Sequence, residues 1–182
     1  MHKRYAFCGG TAGSWRVLSQ KTQCGESLPQ ADFVEVQPVS EAQPVAATAW
    51  ILHGLISNLR YATRIEVGTL RSVQEELGRP IATRAALIPI KKSDAWWALA
   101  QDERRAIFEE QSHHTEIGLR YLPSVARQLY HARDLEEPFD FLTWFEYPAD
   151  QTNAFEELVS KLRASEEWRY VDREVDFRLE QA

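Results

Sequence analysis

The chain has 182 residues, of which 44% are hydrophobic and 26% are charged, and its formal net charge is −6. This composition predicts one folded domain, or two small fused ones, and excludes a disordered chain. The acidic balance argues against nucleic-acid binding, which needs a basic face. No apolar run of 18 residues exists, so we expect no membrane-spanning helix. The charge is uneven: residues 1–91 carry 10 basic and 7 acidic side chains, whereas residues 92–182 carry 11 and 20.

The N-terminal segment and the cysteines favour a cytoplasmic protein. The basic start is followed by an apolar stretch, residues 5–10, which is too short for an export signal. Cys8 and Cys24 form no CxxC motif, and two cysteines are too few for a disulfide scaffold or a cysteine-rich zinc site. We therefore expect two reduced thiols.

The first half of the chain predicts strands around one helix. Apolar strand patterns occupy residues 5–10, 15–18, 46–57 and 82–90. Helical spacing of Leu70, Val73 and Leu77 predicts a helix over residues 66–77 that ends at Gly78. Residues 20–32 are polar and rich in turn formers, and we expect a loop over residues 20–45.

The second half predicts two helices and three strands. Ser93 is a favourable N-cap for a helix that continues to about residue 111. A polar segment and a short turn that stops at Pro123 follow it. The remaining predicted elements are a strand over residues 124–131, an aromatic strand over 139–147, a helix over 153–163 and a final strand over 168–179.

This order predicts an α+β fold. Several strands are joined by hairpin-length linkers, which favours antiparallel α+β units over a Rossmann sheet. The two halves have similar element order, so we expect two ferredoxin-like halves, residues 1–91 and 92–182, packed into one barrel. No GxGxxG, P-loop or HExxH motif occurs, so nucleotide-binding and zinc-protease functions lack their signatures.

Arg127 does not fit an ordinary sheet. It lies between Val125 and Leu129 on the apolar face of a predicted strand. A buried guanidinium is costly unless it is paired. Three interpretations remain open from this pattern: an edge arginine that reaches water, an internal ion pair, or an arginine that faces an anion in a pocket.

Three residue pairs also have an ordinary and a functional interpretation. His113 and His114 are either surface residues or include a metal ligand, for which Glu166 or Glu167 could supply the supporting carboxylate. Trp96 and Trp97 project about 100° apart on a helix, so either both lie in the core or one lines a flat ligand. The pair at residues 91–92 is either a solvated strand end or a partner for two porphyrin carboxylates.

Several stretches of this sequence resemble the core of the chlorite dismutase family. Residues 114–123 (HTEIGLRYLP) lead into 125–131 (VARQLYH), and the aromatic stretch 139–146 (FDFLTWFE) follows. The segment Ser57-Asn58-x-Arg60-Tyr61 and the Trp96–Trp97 pair are also similar to that family. The resemblance runs from about residue 46 to the end, and its most specific part is the His-x12-Arg spacing.

The resemblance implies a dimeric α+β barrel that holds one haem b per subunit in its C-terminal half. By motif, His114 rather than His113 matches the iron ligand, Glu167 matches the carboxylate that hydrogen-bonds this ligand, and Arg127 matches the arginine above the iron. Further residues of the haem edge would be Asn58, Tyr61, Lys92 and Trp97.

The retained arginine and the shortness of the chain refine this expectation. Family members that decompose chlorite to chloride and dioxygen keep the arginine, whereas coproporphyrin-haem decarboxylases generally lack it. The short type of chlorite dismutase is typically a homodimer. Two alternatives stay open: a coproporphyrin-haem decarboxylase or peroxidase-like relative, and a haem-free dimeric barrel that binds a small ligand. Release of dioxygen from chlorite, and not of carbon dioxide from coproporphyrin haem, would exclude the first alternative. A Soret band would exclude the second.

Overall fold

The computed structural model describes residues 3–41, 47–56, 63–121 and 124–182. Among these residues the strands are β1 (Arg4–Gly10), β2 (Trp15–Cys24), β3 (Phe33–Pro38), β4 (Thr48–Leu55), β5 (Arg84–Lys92), β6 (Ala126–His131), β7 (Phe141–Tyr147) and β8 (Val171–Gln181). The helices are α1 (Arg64–Val73), α2 (Asp94–Ala98), α3 (Gln101–Arg105), α4 (His114–Leu119) and α5 (Thr152–Arg163). A π-helical turn, Ala106–Gln111, continues α3, and a 3₁₀ turn, Glu166–Tyr170, precedes β8.

The strands close into an antiparallel barrel in the order β1-β3-β2-β8-β5-β7-β6-β4, with β4 pairing back onto β1. The first four strands of the chain lie side by side in the order β4-β1-β3-β2, and the last four lie in the order β8-β5-β7-β6. In both groups the fourth strand is followed by the first, the third and the second. This is the ferredoxin-like arrangement, so the predicted α+β barrel of two such halves is confirmed. β5 starts at Arg84 and belongs to the second group, ahead of the expected boundary at residue 91. The division into two domains stays a prediction.

Large side chains fill the barrel interior. Phe7, Tyr130, Trp144 and Phe177 are all almost completely buried there. Because successive side chains of a strand point to opposite faces, the neighbouring residues face outward. On β5 and β7 these outward residues are apolar and pack against α5. The space for a ligand therefore lies outside the barrel, between the sheet and the helices, and not within the barrel.

The helix starts follow local capping chemistry. Ser93 accepts a hydrogen bond from the Trp96 backbone N–H, as predicted for an N-cap. Thr63 and Glu66 form a reciprocal capping box at the start of α1. No helix among the described residues is long and apolar enough to cross a membrane.

The prediction of a loop over residues 20–45 is wrong for residues 20–24 and 33–38, which are strands. β2 continues to Cys24, and β3 occupies Phe33–Pro38. The start of β2 matches the strand predicted at residues 15–18, but residues 19–24 are polar, lack buried side chains and are held by backbone pairing along β8, so no apolar alternation reveals this part of the strand. α1 ends at Val73, four residues before the predicted end, and Gly78 instead takes a positive φ of 80° beyond the helix.

Candidate active site

A cavity lies between the outward face of β5, β6 and β7 and the helices that cover it. It holds about 1330 Å³ of space between protein atoms, including its open mouth, and its walls are mainly apolar. Apolar walls with a few polar groups are typical of cofactor sites. Among the described residues, five titratable side chains line it: Lys92, His114, Arg127, His131 and Glu167.

Three of these side chains form a connected group, which we call the histidine cluster: His114, Glu167 and Lys92. His114 Nδ1 lies 2.7 Å from Glu167 Oε2, and Lys92 Nζ lies 2.8 Å from Glu167 Oε1. Burial by itself would raise the pKa of Glu167, but the positive charges and hydrogen bonds of His114 and Lys92 outweigh burial and lower this pKa to about 2. Glu167 is therefore a buried carboxylate with a partner on each oxygen.

Backbone contacts fix the histidine cluster in place. The Glu167 N–H donates to the Ser112 hydroxyl at 2.8 Å, which ties the 3₁₀ turn to the end of the π-helical turn. The Thr115 N–H donates to a carboxylate oxygen of Glu109 at 2.8 Å, at the start of α4. His114 is the first residue of α4, so its position depends on both contacts.

The two adjacent histidines have different environments. His114 lines the cavity, whereas the side chain of His113 is 59% exposed and lies 3.5 Å from Glu116. The reason is backbone geometry, because His113 takes a left-handed φ of 51° at the junction between the π-helical turn and α4. The cavity therefore favours His114, as the sequence motif predicts.

Arg127 projects from the outward face of β6 into the cavity, and Phe145 pairs with it on β7. Among the described residues its guanidinium has no ion pair and no hydrogen bond. Burial lowers the pKa of the Arg127 guanidinium from its ordinary value, and the Glu167 carboxylate partly opposes this shift. Of the three interpretations open from the sequence, this geometry favours an arginine that faces the cavity. The Gln74 amide donates to the Arg127 carbonyl at 2.5 Å and ties this strand to the segment after α1.

Of the other predicted haem-edge residues, only Lys92 lines the described cavity. Lys92 lines the cavity but is 4% exposed, and its ammonium belongs to the histidine cluster, with the Trp96 ring 4.6 Å away. Trp97 is absent from the described cavity wall because its indole N–H donates to Asp140 and its ring is covered by Arg133 at 3.8 Å. The residue of this pair that lines the described cavity is Trp96, and the predicted contact of Trp97 with a haem stays a prediction. Asn58 and Tyr61 lie outside the described residues.

The donor set fits an iron porphyrin. Because Glu167 occupies Nδ1 of His114, Nε2 is the ring nitrogen left for a metal. An imidazole with a carboxylate on its other nitrogen is a common axial ligand arrangement, and the apolar walls suit a flat macrocycle. Elsewhere in the described parts of the chain, no group of three His, Cys, Asp or Glu side chains could hold a metal ion.

The fold and the cavity define an antiparallel α+β barrel with a cofactor-sized site beside its sheet. The sequence profile of the chlorite dismutase family matches residues 35–181, so the chain belongs to this family. The crystal structure of a dimeric chlorite dismutase from Nitrobacter winogradskyi is 54% identical, with a TM-score of 0.90, over 98% of this chain and 99% of that chain.

Two further relatives match over shorter lengths. A chlorite dismutase from Candidatus Nitrospira defluvii, solved in complex with imidazole, is 32% identical with a TM-score of 0.60, over 73% of this chain and 55% of that chain. A chlorite dismutase from Ideonella dechloratans is 36% identical over 86 residues, which is 47% of this chain and 28% of the relative. The matched segment therefore spans less than a third of that curated relative.

Sequence reasoning did not find several residues of this site. Phe108 and His131 line the cavity, and Ser112 and Glu109 hold the backbone around the histidine cluster. The π-helical turn that places Phe108 has no sequence signature of its own. Ser112, beside the two histidines, was visible as a polar residue after a helix, but only the fold shows that it meets Glu167.

Proposed function

We propose that this protein is a haem b enzyme that converts chlorite to chloride and dioxygen. The observation that carries the proposal is the cavity itself, which combines a carboxylate-supported histidine with a guanidinium that has no partner among the described residues. Arg127 gives the cavity a fixed positive charge for an anion. Family membership supports the same reaction.

His114 would hold the iron through Nε2. Bound haem would supply the redox chemistry that the conversion of chlorite needs. The role of this chain's residues is then to hold the cofactor, to bind the anion and to limit water in the cavity. The predicted cofactor, one haem b per subunit, stays a proposal.

Glu167 would make His114 a stronger donor. A carboxylate that accepts the imidazole N–H increases the electron density of the ring and fixes its tautomer. The ammonium of Lys92 lies on the other oxygen of Glu167, so it limits how much negative charge reaches the ring. Lys92 would thus act on the iron ligand through Glu167, and not by contact with a porphyrin carboxylate.

Arg127 would bind chlorite and hold the anion in the cavity during the reaction. The apolar wall around it strengthens this attraction, because few water molecules screen the charge. The acidic surface of the second half would repel the substrate, so a local positive charge is needed. No proton is consumed overall, which suits a cavity where the described polar groups are few.

We also propose a homodimer in the cytoplasm. The dimer is supported by the dimeric Nitrobacter relative, which this chain matches over nearly its full length. Light scattering of the haem-loaded protein tests the dimer.

The reaction is tested with protein that has been loaded with haem b. We expect a Soret band, and an oxygen electrode should record one dioxygen per chlorite consumed. Release of carbon dioxide from coproporphyrin haem, without dioxygen from chlorite, would identify a decarboxylase instead. Absence of a Soret band after loading would contradict the haem assignment and favour a small-ligand barrel.

A further inference from the structure

We propose that Phe108 is a positioning residue that sets the rotation of the His114 imidazole. This inference rests on the proposed haem function and concerns how the axial ligand is held. The Phe108 and His114 rings lie 4.3 Å apart between centroids, with an interplanar angle of 23°. This is a stacked pair, and both rings line the cavity.

The stacking is a product of the irregular backbone. Phe108 and His114 are six residues apart, and on a continuous α-helix such residues project roughly 120° apart around the helix axis. The π-helical turn at Ala106–Gln111 and the left-handed φ of His113 change this direction, so the two rings meet face to face. π-helical turns are frequent at functional sites, and non-glycine residues with positive φ are uncommon. Both irregularities lie directly before His114.

The stacking complements the hydrogen bond from Glu167. A single bond at Nδ1 fixes which nitrogen faces the cavity, but one hydrogen bond tolerates a limited rotation of the ring plane. A flat neighbour against the ring face opposes this rotation. Phe108 and Glu167 together therefore hold the imidazole in one plane, which decides how His114 meets the iron.

The test compares Phe108→Leu with two matched variants in haem-loaded protein. Leucine keeps an apolar side chain but removes the flat face, whereas Phe108→Tyr keeps the ring. Phe141→Leu is the control, because Phe141 also lines the cavity but stacks on Trp97 instead of His114. The readout is the iron–histidine stretching band of the ferrous protein in resonance Raman spectra, together with the rate of haem transfer to apomyoglobin.

We expect Phe108→Leu to broaden or split the iron–histidine band and to speed haem loss about five-fold, the loss of roughly one aromatic contact. Phe108→Tyr should restore the single wild-type band, and Phe141→Leu should leave it unchanged. A single wild-type band in Phe108→Leu, whether or not its thermal stability falls, would overturn the proposal, because a packing role alone lowers stability without turning the ligand.

An apoprotein measurement separates this inference from the proposed function. Stacking predicts an upfield ring-current shift of the His114 ring protons in wild type and in Phe108→Tyr, and its loss in Phe108→Leu. Failure of the wild-type protein to bind haem would refute the proposed function while this shift is still present. Absence of the shift in wild-type apoprotein would refute the stacking itself.

Discussion

The histidine cluster and Arg127 line the same cavity, but the charges of the cluster are paired with one another and the charge of Arg127 has no ion pair among the described residues. Both oxygens of Glu167 have partners within this chain, and its backbone is tied down by Ser112. Arg127 has no such partner among the described residues. A fully paired buried group is held in a fixed position, whereas a partly buried cation without an ion pair is available to a ligand. The first arrangement suits a permanent cofactor, and the second suits a substrate that comes and goes.

The largest effect is expected at the iron ligand. His114→Ala removes the nitrogen that faces the cavity, so we expect loss of stable haem binding and of dioxygen evolution. Absorbance titration with haem measures this. His113→Asn is the control, since Asn tolerates a left-handed φ and the His113 side chain is exposed. Normal haem uptake and turnover by His114→Ala would show that another residue holds the iron.

Glu167→Gln tests whether the histidine cluster is a charged unit. Glutamine keeps the shape but leaves the buried ammonium of Lys92 without a counter-charge, which costs about 3 kcal/mol of unfolding free energy. Glu166→Gln is the matched control, because Glu166 forms a surface pair with Arg169 and should change stability by less than about 1 kcal/mol. Urea unfolding of the apoproteins measures both. Equal stability of the two variants would mean that the buried pair contributes no more than a surface pair.

Arg127→Met tests the other half of the comparison. Removal of a partly buried charge that has no ion pair among the described residues should leave the unfolding free energy unchanged or raise it by about 1 kcal/mol. The attraction for chlorite should fall by a factor of about 30, the contribution of one charge-assisted hydrogen bond of about 2 kcal/mol. Stopped-flow binding of an unreactive anion such as nitrite to haem-loaded protein measures this, with Arg127→Lys as the charge-keeping control. A large loss of stability in Arg127→Met would show that the guanidinium is structural.

The sequence predicts the strand side of this cavity better than the helix side. Period-two alternation around Arg127 places its side chain on a definite face, and the structure agrees that this face lines the cavity. The barrel class also follows from element order. On the helix side, the contact between Glu167 and His114 joins residues 53 positions apart, and no local pattern encodes it.

The errors of prediction have the same physical origin. Only residues 15–18 of β2 are predicted from the sequence, because backbone pairing along β8, and not apolar side chains, holds the rest of the strand. Which of Trp96 and Trp97 lines the cavity depends on their neighbours in the fold. The indole N–H of Trp97 donates to Asp140, and Arg133 covers its ring. Periodicity reports which face a residue is on, but tertiary partners decide which of two neighbouring residues reaches the site.

The smallest effect is expected at the Glu66–Arg105 pair, which is more exposed than the histidine cluster and joins α1 to α3. Arg105 donates to both Glu66 oxygens at 2.7 Å, and these hydrogen bonds lower the pKa of Glu66 from 4.5 to about 2. Since the folded-state pKa is depressed, the stabilisation is complete above about pH 5 and is lost as the pH falls through about 2. Glu66→Gln preserves the capping box, so it isolates this pair.

We expect Glu66→Gln to lower the unfolding free energy by about 1 kcal/mol at pH 7, since solvent screens the pair. The difference from wild type should shrink between pH 4.5 and pH 2. Glu103→Gln is the matched control, because Glu103 caps the Ala100 N–H in the same way but has no arginine partner among the described residues. A difference that stays constant across this pH range would show that the Glu66 carboxylate acts through its shape and not its charge. Its charge would then contribute nothing, which is the opposite of what we expect for Glu167 in the buried cluster.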